Sequence, residues 1–330
     1  LAARTGAVLI DMSSFTKFEI SGRGACDFLQ YLSVANMDKE IGGGTYTQLC
    51  NERGGIEADV TVIRRCENCF WLITGSGFGV RDRHWIESNL KQDVEIRDIT
   101  SAHGVINLAG PLARKVLEAV CDADLSHEAF GFMTAQDICI GYAPALAFRV
   151  TYIGELGWEL YIPSEYMQYV YEILQEAGKE FGITNIGYRA IDSLRMEKKY
   201  LAWGVDITPD YNPCEAGLQF LIDWNKGDFL GRDALAKIRD KGVQQKLVCL
   251  VLEDPLPVFG GEAIFVNGEA VAQSTSGNFG YTIGKSLVLV YLPVAHMDAR
   301  SFTIDAFGKR SSATLIKGCA YDPGRQKILG

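Results

Sequence analysis

Residues 45–61 read TYTQLCNERGGIEADVT, a pattern of strand, glycine turn and strand. Side chains of a β-strand alternate between its two faces, so Asp59 and Thr61 share one face of the second strand while Val60 and Val62 lie on the other. Asp is a poor strand former. A carboxylate inside this β-branched run therefore faces either solvent or a functional site, and the hairpin alone does not decide between them.

The chain on either side of this hairpin alternates short β-like runs with helical segments. Period-two alternation and β-branched or aromatic runs predict strands at 17–21, 45–50, 59–64, 70–74, 105–109, 146–152 and 158–162. Helical spacing of apolar residues predicts helices at 25–32, 81–90, 111–120, 165–181 and 189–201. We therefore predict a mixed α and β fold for this part of the chain.

The residue pattern changes after the charged segment 232–241. Strand-like runs then dominate, at 246–252, 263–266, 287–291, 302–305 and 313–317. This predicts two units, residues 1–240 and a separate small β domain at 241–330.

The composition excludes several classes of protein. A chain of 330 residues with 48% hydrophobic content can bury a core, so disorder is excluded. The net charge of -9 and the lack of any Lys or Arg run disfavour nucleic acid as a partner. The strongest apolar stretch, 287–295, is about half the length of a membrane-spanning helix. We therefore expect a soluble protein with no membrane partner, placed in the cytoplasm or, in a eukaryote, in the mitochondrial matrix.

Nine scattered cysteines, an odd number, suit a reducing compartment. Cys66 and Cys69 form the one CxxC pair, but no second pair or nearby His completes a metal tetrad. We favour a hairpin turn at this pair over zinc or redox chemistry. The four histidines lack metal-ligand spacing, so no metal is predicted, and the glycines at 75–79 do not have the spacing of a dinucleotide fingerprint.

A second group of residues, 151–160, reads TYIGELGWEL. After its glycines, Trp158 and Leu160 face one way and Glu159 the other. One carboxylate can accept two parallel N–H bonds from a planar donor, either an internal arginine or an aminopyrimidine ring. Both partners remain possible for Glu159. Further along the chain, Asp192 and Arg195 lie three apart on a predicted helix and should form a structural ion pair.

Taken together, these motifs resemble the glycine-cleavage T-protein family, in the family's order and over nearly the whole chain. The form near the start, SSFTK at 13–17, is similar to the folate-binding domains of dimethylglycine and sarcosine dehydrogenases and oxidases. The pieces that carry the resemblance are 10–13, 46–59, 109–111, 152–159, 192–197, 213–218, 229–231, 275–279 with 284–286, and 321–323.

The resemblance implies an α+β, three-lobed cloverleaf around tetrahydrofolate. Residues 1–240 would form a folate-binding aminomethyltransferase-like domain of two interwoven lobes, and residues 241–330 a C-terminal β-barrel. The family's catalytic aspartate falls on Asp59. Its folate-binding positions fall on Tyr46, Tyr152 and Glu159, with Thr61 beside Asp59.

Two departures from the family pattern bear on the site. T-proteins have an arginine just before the helix aspartate, where this chain has Ile191, so that folate contact either moves to Arg189 or is lost. The hairpin reads Glu-Ala-Asp at 57–59, where T-proteins tend to have paired aspartates. In addition, Leu1 aligns some tens of residues inside a typical family start, which indicates a detached C-terminal module or an incomplete N-terminus.

The resemblance implies that tetrahydrofolate captures an iminium or formaldehyde unit, released from a small methylated amine, as 5,10-methylenetetrahydrofolate. An FAD-containing oxidase domain or subunit would then be the partner that supplies the unit. Two alternatives stay open. One is a folate-dependent O-, S- or N-oxide demethylase, and the other is a non-catalytic regulatory protein, as in the pyruvate dehydrogenase phosphatase regulatory subunit.

Overall fold

The computed structural model describes residues 1–91 and 93–330. Its strands are β1 (Val8–Asp11), β2 (Thr16–Ser21), β3 (Gly44–Cys50), β4 (Ile56–Cys66), β5 (Cys69–Thr74), β6 (Glu95–Asp98), β7 (His103–Ala109), β8 (Ala135–Ile140), β9 (Ala143–Phe148), β10 (Gly157–Pro163), β11 (Thr184–Asn185), β12 (Gln245–Leu252), β13 (Ala263–Val266), β14 (Glu269–Gly280), β15 (Lys285–Pro293), β16 (Phe302–Ala306) and β17 (Lys309–Ile316). Its α-helices are α1 (Ala2–Thr5), α2 (Ala25–Leu32), α3 (Gly79–Ser88), α4 (Ala113–Glu118), α5 (Met167–Gly178), α6 (Tyr188–Glu197), α7 (Arg232–Lys241) and α8 (Gln326–Leu329).

These strands form three sheets. Sheet A has six strands in the order β11-β1-β7-β10-β9-β8, with only the β1–β11 pair parallel. Sheet B has five antiparallel strands in the order β3-β4-β5-β2-β6. The last six strands close into an antiparallel barrel, β12-β15-β14-β13-β16-β17. The predicted α+β, three-lobed fold with a C-terminal β-barrel is confirmed.

Strand β10 shows how sheet A is built. Trp158, Leu160 and Ile162 are fully buried on one face, where helices α4 and α5 pack against them. Glu159 and Tyr161 lie on the opposite face because side chains alternate along a strand. The predicted orientation of Trp158 and Glu159 is therefore confirmed.

Strand β4 shows how sheet B is built. Ala58, Val60 and Val62 pack against helix α2 in a buried cluster. The other face of β4 carries Asp59, Thr61 and the buried Ile63. Asp59 and Thr61 therefore share a face, as their spacing predicts.

Sheets A and B face each other across one buried layer, which we call the intersheet layer. It takes apolar side chains from both sheets, among them Val8, Ile10, Ile63, Trp71, Ile73, Val105, Leu146, Phe148 and Tyr161. The face of β4 that carries Asp59 and the face of β10 that carries Glu159 both border this layer, since Ile63 and Tyr161 on those faces belong to it.

Helix α6 joins this first part of the chain to the barrel. Ile191 and Leu194 belong to the intersheet layer, while Met196 packs in the cluster that covers the outside of barrel strands β12 and β15. The hydroxyl of Ser193 donates a hydrogen bond to the carbonyl of Phe279 on β14, at 2.6 Å. The helix therefore touches both units.

Some predicted boundaries were wrong. The strand predicted at 146–152 ends at Phe148, and Tyr152 lies in the loop that follows. That loop is held by the Thr151 hydroxyl, which accepts hydrogen bonds from the N–H groups of residues 153, 154 and 155. The predicted hairpin between Cys66 and Cys69 is present. Among the described helices, none combines the length and apolar character needed to cross a membrane.

Candidate functional site

Asp59 lies on the face of the β3–β4 hairpin that borders the intersheet layer. Gln48 is its direct cross-strand partner, and the Gln48 amide donates to Asp59 Oδ1 at 2.8 Å. Burial raises the pKa of Asp59 to about 6, although Gln48 and Tyr46 both stabilise the ionised carboxylate. A carboxylate with a pKa near neutrality can both hold and release a proton at physiological pH.

Gln48 is fully buried, and sequence reasoning did not identify it. Its amide nitrogen binds Asp59, but its buried Oε1 has no hydrogen-bond partner among the described residues. Buried polar atoms in native proteins are nearly always paired. This acceptor beside Asp59 therefore suits a ligand that brings an N–H group.

Tyr46 and Thr61 face each other across the same hairpin. Burial, and after it the charge of Asp59, raises the pKa of the Tyr46 phenol well above its ordinary value. The phenol therefore stays protonated beside Asp59. Thr61 is half-buried on the same face of β4.

Tyr152 approaches this group from the loop after β9. Its hydroxyl donates to the Leu201 carbonyl at 2.8 Å, and its ring lies nearly parallel to that of Tyr200, with 6.1 Å between centroids. Burial raises the pKa of Tyr152, and the charges of Arg195 and Asp59 also act on it. Tyr152 is therefore a fixed aromatic surface near Asp59.

Glu159 enters from sheet A and is only 9% exposed. Its Oε2 accepts a hydrogen bond from the Tyr161 hydroxyl at 2.7 Å, and burial raises its pKa. Within the described residues, no arginine forms an ion pair with Glu159, and Oε1 accepts no hydrogen bond. The free oxygen can therefore accept a hydrogen bond from a ligand.

Lys17 is a buried cation near Glu159, and the sequence did not indicate it. It is fully buried, and its ammonium group donates to the Ser13 carbonyl at 2.9 Å. Burial lowers its pKa to about 8, against the opposing charges of Asp98, Asp11 and Glu159. Lys17 in turn lowers the pKa of Glu159, so it favours the ionised carboxylate.

A close contact between the sheets brings the two halves of the site together. Gly44, on β3 two residues before Tyr46, lies against the ring of Phe148 with no room for a Cβ atom. Phe148 is the cross-strand partner of Glu159. The structure therefore places Tyr46, Thr61 and Tyr152 near Asp59, and it places Glu159 on the face of sheet A that borders the intersheet layer.

The structure does not bring Arg189 to this region. Arg189 is exposed in the first turn of α6, whereas Ile191 is buried in the intersheet layer. Residues two apart on an α-helix point to nearly opposite sides. Arg189 therefore lies on the side of the helix away from the other predicted residues, which does not support the expected replacement of the family arginine.

Arg195 ties the edge of the site to the barrel. Its guanidinium binds Asp192 and the fully buried Asp206, each at 2.7 Å, and donates to the Ser276 hydroxyl on β14 at 3.0 Å. The Asn278 amide also donates to Asp192. The expected Asp192–Arg195 pair is confirmed, within a larger network that the sequence did not predict.

Comparisons with known proteins agree with this architecture. The family model described as "GCVT N-terminal domain" matches residues 1–226, and the model described as "Glycine cleavage T-protein C-terminal barrel domain" matches residues 245–322. The aminomethyltransferase of Symbiobacterium thermophilum is 34% identical, over 89% of this chain and 80% of its own length.

Two further relatives extend the comparison. Mitochondrial dimethylglycine dehydrogenase of Rattus norvegicus is 39% identical over 94% of this chain, which spans only 37% of that relative's length. The crystal structure of glycine cleavage system aminomethyltransferase T from Bartonella henselae superposes with a TM-score of 0.86 at 27% identity, covering 96% of this chain and 86% of that one.

Proposed function

The chain belongs to the glycine-cleavage T-protein family, and from that premise we propose that it carries out tetrahydrofolate-dependent one-carbon transfer. In the specific reaction that we propose, an iminium or formaldehyde unit from an N-methyl amine becomes the methylene group of 5,10-methylenetetrahydrofolate. The observation that carries the proposal is that Asp59 and Glu159, from two different sheets, lie on strand faces that border the same intersheet layer.

The unpaired polar atoms of the region fit a reduced pterin. Oε1 of Glu159 and Oε1 of Gln48 are acceptors without a protein partner among the described residues. A pterin edge offers several N–H donors, and a carboxylate binds two parallel donors well. Glu159 would grip this edge, and the charge of Lys17 favours its ionised form against the effect of burial.

Asp59 would act as the proton acceptor. Tetrahydrofolate supplies the nucleophilic nitrogen that captures the one-carbon unit, and that nitrogen must lose a proton. With a pKa of about 6, Asp59 is ionised at neutral pH yet remains a usable base. Gln48 holds the Asp59 carboxylate in position, and Thr61 would help to hold the attacking nitrogen.

Aromatic side chains would form the walls of the site. Tyr46 and Tyr152 reach the region from different segments, and Leu201 fixes the Tyr152 hydroxyl. Such walls exclude water, which would otherwise consume a reactive iminium or formaldehyde unit.

The relatives support a proposal for the source of the one-carbon unit. Dimethylglycine dehydrogenase is named for oxidation of an N-methyl amine, and this chain matches only part of it. We therefore propose that an FAD-containing oxidase domain or subunit generates the iminium or formaldehyde unit that this chain transfers.

The test uses the purified chain with tetrahydrofolate and formaldehyde, measured against the reaction without protein. Calorimetric titration should show tetrahydrofolate binding, which a purely regulatory protein would lack. Asp59→Asn should still bind folate but lose roughly 10²- to 10⁴-fold in methylene transfer, the range typical of a positioned general base.

Asp298→Asn, at an exposed barrel position, is the matched control and should leave transfer unchanged. Unchanged transfer in Asp59→Asn would remove Asp59 from the mechanism. Transfer from an O-methyl, S-methyl or N-oxide substrate, with no response to formaldehyde, would favour the direct demethylase instead.

A further inference from the structure

The hairpin between β4 and β5 carries a second chemical feature that the folate site does not use. Cys66 ends β4 and Cys69 begins β5, so only Glu67 and Asn68 lie between them. The two cysteines are direct cross-strand partners. Each is a free thiol, with Cys66 exposed and Cys69 half-buried.

The cross-strand pairing of Cys66 with Cys69 suits a disulfide. Directly opposed residues of an antiparallel pair have Cα atoms about 4.5 to 5.5 Å apart. Disulfide-bonded cysteines usually have Cα atoms roughly 4.4 to 6.8 Å apart. Cys66 and Cys69 therefore sit at a separation that a disulfide spans.

Hydrogen bonds to both residues of the turn hold it in place. The N–H of Gly22 donates to the Asn68 carbonyl at 3.0 Å, and the Arg64 guanidinium donates to the Glu67 carbonyl at 3.1 Å. Because the turn is anchored at both of its residues, the two thiols stay opposed and little ordering is needed before they react.

The two sulfurs differ in their surroundings. Burial, followed by the charge of Glu19 and the neighbouring Cys66, raises the pKa of Cys69 to about 11, so Cys69 remains a thiol. Cys66 is the exposed member and meets a dissolved oxidant first. This difference in exposure assigns Cys66 as the first sulfur to react. Cys69 is then the sulfur that attacks the oxidised Cys66.

We propose that Cys66 and Cys69 form a reversible disulfide when the protein meets a peroxide. The Cys66 sulfur, as thiolate, attacks hydrogen peroxide and becomes a sulfenic acid as the O–O bond breaks. The departing hydroxide takes up the proton that Cys66 released and leaves as water. The Cys69 sulfur then attacks the sulfenic sulfur, the S–S bond forms, and a second water leaves with the Cys69 proton. The two thiols lose two electrons and two protons.

The site is a modification site and not a structural staple. A cross-link that closes so short a loop removes little entropy from the unfolded chain. Reduced and oxidised protein should therefore unfold at nearly the same denaturant concentration, and the chemistry should be reversible by dithiothreitol.

The experiment treats the reduced full chain with hydrogen peroxide, alkylates the remaining thiols, and maps the peptides by mass spectrometry. We expect the peptide containing residues 66 and 69 to lose two hydrogen atoms and to resist alkylation until dithiothreitol is added. Cys69→Ser should instead stop at a Cys66 sulfenic acid that dimedone captures. Cys139→Ser, at another exposed cysteine, should leave the disulfide intact.

Two results would overturn the proposal. One is wild-type protein in which Cys66 gains oxygen while Cys69 is still alkylated. The other is a disulfide that joins Cys66 or Cys69 to any other cysteine or to a second chain. Circular dichroism of each Ser variant checks that a missing product is not caused by unfolding.

Discussion

Replacing the candidate base should make the protein more stable. The pKa of the Asp59 carboxyl has its ordinary value of 3.8 in the unfolded chain. Burial raises this pKa to about 6 in the folded protein. Each pKa unit corresponds to about 1.4 kcal/mol, so ionising Asp59 destabilises the folded protein by about 3 kcal/mol at neutral pH. Asp59→Asn removes this charge and should recover most of that free energy of unfolding.

The direction of this pKa shift determines how the free energy of unfolding depends on pH. Between pH 3.8 and 6 the unfolded chain has already lost the proton that folded Asp59 retains, so wild-type stability falls as pH rises through this window. The advantage of Asp59→Asn should therefore be about 1.5 kcal/mol at pH 5 and about 3 kcal/mol at pH 7.5.

Urea unfolding followed by tryptophan fluorescence measures this difference, because Trp71 of sheet B and Trp158 of sheet A are both buried. Asp298→Asn should change stability little at either pH. If Asp59→Asn is less stable than wild type by the same amount at both pH values, the ionised carboxylate is stabilised by its neighbours and the reasoning is refuted.

Other substitutions test the rest of the site. Glu159→Gln should weaken tetrahydrofolate binding roughly 5- to 150-fold in calorimetry, because leaving part of a donor ring unpaired costs about 1 to 3 kcal/mol. Gln48→Leu removes a hydrogen bond to Asp59, so the pH–rate profile of transfer should show the base pKa rising above about 6. Lys17→Met should raise the pKa of Glu159 and weaken folate binding more at pH 6 than at pH 8, whereas equal weakening would contradict the electrostatic role. Arg195→Met leaves carboxylates unpaired and should destabilise the protein by about 3 to 5 kcal/mol in urea.

Local periodicity predicted the orientation of several side chains of the candidate site, whereas their roles came from the family resemblance. The shared face of Asp59 and Thr61 and the opposite orientations of Trp158 and Glu159 depend only on alternation along one strand. The Asp192–Arg195 pair depends only on helical spacing. These features need no knowledge of what packs against the element, so the sequence was sufficient for them.

Lys17 and Gln48 show where that reasoning ends. Alternation divides a strand into two faces but does not say that both faces are covered. Sheet B is covered by α2 on one side and by sheet A on the other, so polar residues on its second face are buried. That burial results from contacts distant in sequence, which no local pattern reports.

Strand β14 was missed for a similar reason. Its twelve residues are rich in small and polar side chains, which have weak strand propensity. It becomes a strand because it pairs with β13 on one side and β15 on the other inside the closed barrel. Helix α7 was recognised only as a charged segment, since its face toward the protein rests on few apolar residues such as Leu235.

The Arg195 network determines how this polypeptide can be divided. Asp206 is buried and satisfied from both directions, by Arg195 of α6 and by the hydroxyl of Thr275 on β14. A fragment that stopped before the barrel would lose the second bond and would bare the apolar surface that β12 and β15 now cover. The two halves should therefore be expressed, exchanged or fused only together.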